Sequence, residues 1–295
     1  MEEKFEIFCI EQREAVELCL ESIFNTFPDT EVNRVAKYAT LGGGHRWRAL
    51  LAIGCASLFD GRVPPLAILR TGCVMELFHA ASLILDDLPS MDDGRLRRGK
   101  PCVHLVHPRW AVDMASSYLI TIGHQVLLTL PGVSPERCSA ISRKAAETAI
   151  TMCQGQEADL RCNENRKRDS IPDALERHRK KTGVLFGLAA ASAAILADVD
   201  SSKLDEFGVN LGLAYQMSDD LADFSETPER LGKTCNQDAD RVTPLKLLGR
   251  ERSEELRRTL IANADANLTA LGQRDSFLRH FTTGAIGVVL NQANA

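Results

Sequence analysis

Apolar residues recur at intervals of three and four along almost the whole chain. Val74, Leu77, Phe78, Ala81, Ile84 and Leu85 form one such stripe, and Leu204, Phe207, Leu211, Ala214 and Tyr215 form another. That spacing gathers the side chains on one face of an α-helix. Strictly alternating runs bounded by turn residues, the mark of strands, are absent. Breaks fall at "FPDT" (27–30), "LGGGHR" (41–46), "FDGRVPP" (59–65), "LPGVSPE" (130–136), "DSIPD" (169–173) and "DVDSS" (198–202). The pattern predicts an all-α fold, helix packed on helix, in a single domain spanning 1–295.

Composition supports this and narrows the function. Of 295 residues 44% are hydrophobic, enough for a sizeable core, and aromatics are few. The formal charge of −5 gives no global attraction to nucleic acid or an anionic membrane, so neither is expected as a partner. An anionic ligand must therefore be caught by local basic clusters or through a metal. Nine cysteines lie scattered with no C-x-x-C pair, which favours reduced thiols over a zinc site or a disulfide framework. The N-terminus "MEEKFEIFCIEQREAVE" has the character of neither a signal peptide nor an Arg-rich transit peptide. The uncharged, strongly apolar stretch "TGVLFGLAAASAAILA" (182–197) is shorter than the roughly 20 residues of a membrane span. Its Gly and Ala content suits a buried helix closely approached by its neighbours. The expectation is a soluble, cytoplasmic protein with no integral membrane segment.

Charge is concentrated where an apolar helix should end. In "SLILDDLPSMDDGRLRRGK" (82–100), Pro89 ends or bends the helix near Leu88. That places Asp86 and Asp87 on its last turn and Asp92 and Asp93 just beyond. Carboxylates gathered in this way are tolerable around a cation, and hard oxygen donors with room for water and phosphate point to Mg²⁺. A solvated acidic helix end is the plainer alternative. A second cluster, "AYQMSDDLADF" (214–224), sets Asp219 and Asp223 four residues apart on one helix face, with Gln216 nearby. Two such clusters, each ending an apolar helix, are harder to assign to chance than one.

Basic groups accompany them. "GGGHRWR" (42–48) offers His45, Arg46 and Arg48 after a glycine turn, and "RLRRGK" offers Arg95, Arg97, Arg98 and Lys100. "RKKTG" (179–183) supplies Lys181 and Thr182, and "RLGKT" (230–234) supplies Lys233. Arginine forks and lysine point charges both suit phosphate oxygens. His79 lies seven residues before Asp86 on the same helix face. Acidic clusters, basic patches and an apolar shaft together predict a substrate with diphosphate at one end and hydrocarbon at the other.

At these residues the chain resembles the short-chain trans-prenyl diphosphate synthases. "HAASLILDDLPSMDDGRLRRGKP" is especially similar to bacterial geranylgeranyl diphosphate synthases of carotenoid pathways. The likeness runs in order through "GGGHRWR", "DDLPSMD", "GQEAD" (155–159), "KTG", "YQMSDDLAD" and "GKTCNQDA". It implies the isoprenoid synthase fold, a helical bundle around a deep central cavity, and a homodimer. It implies condensation of isopentenyl diphosphate with allylic diphosphates (dimethylallyl, geranyl, farnesyl) to geranylgeranyl diphosphate, with about three Mg²⁺ per site assisting ionisation. Carried over by residue, Asp86, Asp92 and Asp219 would hold metal, assisted by Asp87 and Asp223. Isopentenyl diphosphate would meet His45, Arg48, His79 and Arg98. The allylic diphosphate would meet Arg97, Lys181, Thr182, Gln216 and Lys233. Phe78, Ala81 and Ser82, before the first aspartates, would set product length. Departures exist: His45 and Arg241 stand where the family commonly has Lys, Ala115-Ser116 replaces a frequent Gly-Asp pair, and the C-terminus lacks a basic tail.

Other readings remain open at this point. A farnesyl diphosphate synthase would share every motif and differ in product length. A non-catalytic subunit modulating another synthase usually degrades one aspartate motif, and this chain keeps both. A class I terpene cyclase usually has an N-D-x-x-S-x-x-x-E second motif, where this chain has Asp219-Asp220-Leu221-Ala222-Asp223.

Overall fold

A computed structural model describes residues 2–162, 170–225, 243–272 and 277–282. It is almost entirely helical. The elements are α1 (Glu2–Asn25), α2 (Glu31–Thr40), α3 (Trp47–Ala56), α4 (Pro65–Asp86), α5 (Val103–Val106), α6 (Arg109–Leu128) and α7 (Pro135–Cys162). They continue as α8 (Ile171–His178), α9 (Val184–Ala197), α10 (Ser202–Ser225), α11 (Pro244–Leu248) and α12 (Arg250–Ala270).

Helices α2, α3, α4, α7, α8 and α10 begin at or just after the breaks read from the sequence. Thr30 caps α2 by accepting from the Asn33 amide. Ser170 and Asp173 form a reciprocal capping box at the start of α8. Pro65 occupies the first turn of α4, where its missing N–H costs nothing. Two features were not foreseen. Leu96–Arg97 pairs with Lys100–Pro101 as a minimal antiparallel hairpin. Its turn residues Arg98 (φ 53) and Gly99 (φ 71) both take the left-handed conformation that such tight turns need. The second is a π-helical turn at Arg179–Gly183 joining α8 to α9.

The described chain forms two compact units. One comprises the described residues of Met1–Arg143 with Ser192–Val199, and the other those of Lys144–Ala191 and from Asp200 onward. In the first, α4 is central. Every residue from Thr71 to Phe78 is buried, and α1, α2, α3 and α6 pack around it. In the second, α10 packs on α12 and on the π turn. The expected close approach to the Gly- and Ala-rich α9 takes a specific form: a Cβ on Gly212 would lie 3.0 Å from both Gly183 and Phe186. By length and composition, Pro65–Asp86 and Ile171–Ala197 could each cross a membrane, unlike the shorter stretch weighed from sequence; most of each apolar window is buried in the fold.

Candidate active site

The first aspartate cluster is built by the end of α4. The helix stops at Asp86, with Asp87 as its cap. The following loop curls back: the Asp92 amide donates to Asp86 O at 3.0 Å, Asp93 to Leu88 O at 3.1 Å and Gly94 to Asp87 O at 3.2 Å. The last helical carbonyls, otherwise orphaned, are thereby satisfied. Asp93 takes φ 48 to make the curl. Asp86 and Asp92 are brought to one place, both half-buried. The C-terminus of a helix is the wrong end for carboxylates, since its dipole is negative there, so a cation is favoured. Asp87 is buried and receives Arg97 in a two-point pair, Nη2 to Oδ1 at 2.6 Å and Nε to Oδ2 at 3.2 Å.

Beside this lies a nest of positive charge. The His79 imidazole is held well below its ordinary pKa, first by burial and then by Arg48, Arg98, Arg97 and Arg46. Arg98 is pushed down to about 10 by burial, with Arg46, Arg97 and Arg48 adding to the effect. A guanidinium so depressed is crowded by like charges, and a phosphate anion among them would relieve the crowding. Glycine makes room for it: Gly44, at φ +116, lies so close that a Cβ there would come within 3.0 Å of Arg98 Nε. Asp87, Arg97, Arg98 and Lys100 line one cleft with Tyr38 and Gly42. His45 is half-buried, its ring stacked on Trp47 at 6.3 Å.

Arg46, from the same basic stretch, faces the other way. Its side chain is 1% exposed and forks onto Glu17 of α1, Nε to Oε1 at 2.7 Å and Nη2 to Oε2 at 3.0 Å. It also donates to Thr40 O at 2.7 Å and reaches Glu76 of α4 at 3.5 Å. Glu76 in turn accepts the Ala49 amide at 3.3 Å. Arg46 thus anchors the start of α3, which carries Arg48.

The second unit assembles its own polar chain. The Thr182 hydroxyl donates to Gln216 Oε1 at 2.9 Å, and Gln216 Nε2 donates to Asp220 Oδ1 at 3.0 Å. His178 Nε2 lies 3.6 Å from Asp220 Oδ2. Lys181 Nζ donates to Asp159 Oδ2 at 2.9 Å. The π turn brings Lys181 and Thr182 to these partners, and Gly155 permits it. A Cβ on Gly155 would fall 2.6 Å from Lys181 N. Asp219, on the same helix as Gln216, is half-buried. Asp159, His178 and Asp220 were not singled out from sequence as site residues, although Asp159 ends the "GQEAD" motif and Asp220 lies within "YQMSDDLAD". The side chain of Asp223, together with Lys233 and Arg241, lies outside the described residues.

The residues thought to set chain length sit on α4. Phe78 is 1% exposed and packs on α6, where a Cβ on Gly123 would lie 2.5 Å from its ring; the His124 ring is 5.5 Å away. Ala81 is buried, and its carbonyl accepts from Ser116 Oγ at 3.1 Å. Ser82 is half-buried and turns its hydroxyl back to His79 O at 2.9 Å.

The donor set suits a hard divalent cation. Asp86 and Asp92 offer carboxylate oxygen at the negative end of a helix. Among the described residues no three His, Cys, Asp or Glu side chains gather as a metal-enclosing group. A cation held here would be completed by water and substrate phosphate, the coordination habit of Mg²⁺.

Residues 29–267 match the polyprenyl synthetase family. The chain belongs to that family. It is 33% identical over 262 residues to a geranylgeranyl diphosphate synthase of Pantoea ananas, covering 85% of this chain and 83% of that one. It is 32% identical over 277 residues to the mitochondrial geranylgeranyl pyrophosphate synthase 10 of Arabidopsis thaliana, covering 90% and 79%. An FPP/GFPP synthase from Zymomonas mobilis has the same fold, with a TM-score of 0.84, 26% identity and coverage of 97% and 100%. A geranyltransferase from Helicobacter pylori, solved with magnesium and isoprenyl diphosphate, shares the fold at a TM-score of 0.81 and 22% identity, covering 96% and 97%. For this member of the polyprenyl synthetase family, the isoprenoid synthase fold expected from sequence is the fold observed.

Proposed function

We propose that the chain is a trans-prenyltransferase that condenses isopentenyl diphosphate with allylic diphosphates and makes geranylgeranyl diphosphate. The observation that carries this reading is the nest of Arg48, Arg97, Arg98 and His79 beside the carboxylates of Asp86 and Asp92. Such a nest suits a diphosphate, and such carboxylates suit its Mg²⁺. Family membership and the two geranylgeranyl diphosphate synthases support the choice of product.

His45, Arg48, His79 and Arg98 hold the headgroup of isopentenyl diphosphate. His79, kept neutral, does so as a hydrogen-bonding group and not as a charge. Arg97, Lys181, Thr182, Gln216 and Lys233 hold the allylic diphosphate. Asp86, Asp92 and Asp219, with Asp87 and Asp223 in support, would hold about three Mg²⁺, whose positive charge would favour departure of the diphosphate. Breaking the allylic C1–O bond sends the electron pair out with that diphosphate. The dipoles of Thr182 and Gln216 would lie near the carbocation left behind. The double bond of isopentenyl diphosphate attacks C1, and the proton lost from its C2 passes to the departing diphosphate. No side chain has to act as a strong base. We place the working enzyme in the cytoplasm, as a homodimer, on the strength of its scattered thiols and its family.

Substitution of the aspartates is the test. Asp86→Asn or Asp219→Asn should lower turnover at saturating Mg²⁺ at least about a hundredfold, roughly 3 kcal/mol of barrier. Substrate KM should move less. Near-wild-type turnover in both variants contradicts the assignment.

A further inference from the structure

The hairpin that carries Arg97 and Arg98 cannot hold itself in place. Its strands are two residues long, and a lone pair of strands is marginal in water even when longer. Arg97 has an anchor of its own in the two-point pair with Asp87. Arg98 sits at the turn and is held less firmly. Its Nη1 donates to the Ala39 carbonyl at 3.4 Å, and the charges of Arg46, Arg97 and Arg48 press against it. Whatever fixes Arg98 must therefore come from outside the hairpin.

One face of α2 supplies the support. Tyr38 Oη donates to the carbonyl of Pro101, at the end of the return strand, at 2.9 Å. The Lys100 ammonium lies 5.9 Å from the centre of the same ring, within reach of a cation–π attraction. On its other side the ring meets His107 edge-on at 5.3 Å, and Glu31 Oε1 holds that imidazole at 3.1 Å from Nδ1. Glu31 and Tyr38 are seven residues apart, two turns along one face of the helix. Ala39 offers its carbonyl to Arg98 in the last turn of α2, the negative end of the helix, where a guanidinium is favoured. The segment after the turn is thus splinted against α2 at Lys100, Pro101 and His107. Tyr38 also lines the cleft that Asp87, Arg97, Arg98 and Lys100 share.

We propose, on the reading of Arg98 as a contact of isopentenyl diphosphate, that Tyr38 is a positioning residue for that substrate. It holds the hairpin so that Arg98 stands ready for the diphosphate. In this role the phenol acts through Pro101 and Lys100, not by touching the substrate. The two arginines of the turn should respond differently to its loss. Arg97 keeps its fork on Asp87, whereas Arg98 has only the long contact with Ala39 to steady it against its like-charged neighbours. The effect should fall on isopentenyl diphosphate and spare the allylic substrate assigned to Arg97.

The experiment compares the full wild-type chain with Tyr38→Phe, which keeps the ring and loses the donor. KM for isopentenyl diphosphate should rise about two- to tenfold, the net worth of one hydrogen bond. Turnover and KM for the allylic diphosphate should change by less than about twofold, since only ground-state binding of one substrate is touched. In an Arg98→Gln chain the same substitution should add no further rise, because its effect passes through Arg98. Amide hydrogen exchange over residues 95–102, measured without substrate, should be faster in Tyr38→Phe. An unchanged KM for isopentenyl diphosphate overturns the proposal, as do equal rises for both substrates or an undiminished rise on Arg98→Gln. A wild-type chain that elongates nothing refutes the proposed function instead. The exchange measurement then still decides whether Tyr38 holds the hairpin, and unchanged exchange shows that it does not.

Discussion

Arg46 and Arg48 stand two residues apart in one basic stretch and serve different ends. Both contribute to the charge that depresses His79 and Arg98, but the Arg46 side chain is sealed against Glu17 and Glu76. Removing Arg46 would leave two acidic partners in or near the core without a counter-charge. Arg46→Met should therefore destabilise the fold by about 3 kcal/mol, measured by denaturant unfolding. A loss under about 1 kcal/mol would mean the network is dispensable. His79 adds a dependence on pH. Its folded pKa lies well below the ordinary value of 6.5, so the unfolded chain binds a proton that the folded chain refuses. Stability from this group is present above that ordinary value and is lost as pH falls below it toward the folded pKa. His79→Gln should flatten the acid limb of stability measured between about pH 6.5 and 5. An unchanged limb would show that His79 does not carry it. The residue types of the site were legible in the sequence, since grouped aspartates and arginines imply metal and phosphate whatever the fold. Which arginine turns inward was not, because that is decided by carboxylates 29 and 30 residues away.

At the scale of elements, the starts of α2, α3, α4, α7, α8 and α10 followed breaks that Pro, Gly or a capping Thr or Ser made visible. The π turn at Arg179–Gly183 had no such mark. It depends on Gly155 of α7, whose missing side chain lets two backbones meet, and a tertiary contact of that kind leaves no local periodicity. The contact is also sensitive. Gly155→Ala would place a Cβ 2.6 Å from Lys181 N and 2.8 Å from Lys180 C, atoms that cannot swing aside. We expect a loss of about 1–3 kcal/mol in stability. We also expect a rise in KM for the allylic diphosphate greater than that for isopentenyl diphosphate, because Lys181 and Thr182 would move. Equal changes in both KM values would argue against the assignment of this turn to the allylic substrate. The Leu96–Pro101 hairpin escaped notice for a simpler reason: two-residue strands are too short to show alternation.

For the molecule as a whole, product length should depend on the space along α4. Phe78 lies three residues below Ala81, about 4.5 Å of helical rise and comparable with one isoprene unit. Its ring fills the contact with α6 over Gly123. Phe78→Ala should open that contact and lengthen the product beyond twenty carbons. Ala81→Phe, with Ala81 small and buried, should shorten it toward fifteen. If both variants keep the parent distribution, the floor lies elsewhere. The measurement that bears most directly on the whole reading is chain-length analysis of the wild-type product. Purified protein is incubated with Mg²⁺, isopentenyl diphosphate and dimethylallyl, geranyl or farnesyl diphosphate in turn. The expected result is elongation from each primer, ending at the twenty-carbon geranylgeranyl diphosphate. Arrest at fifteen carbons would contradict the product assignment, and cyclised hydrocarbon or no elongation at all would contradict the activity itself.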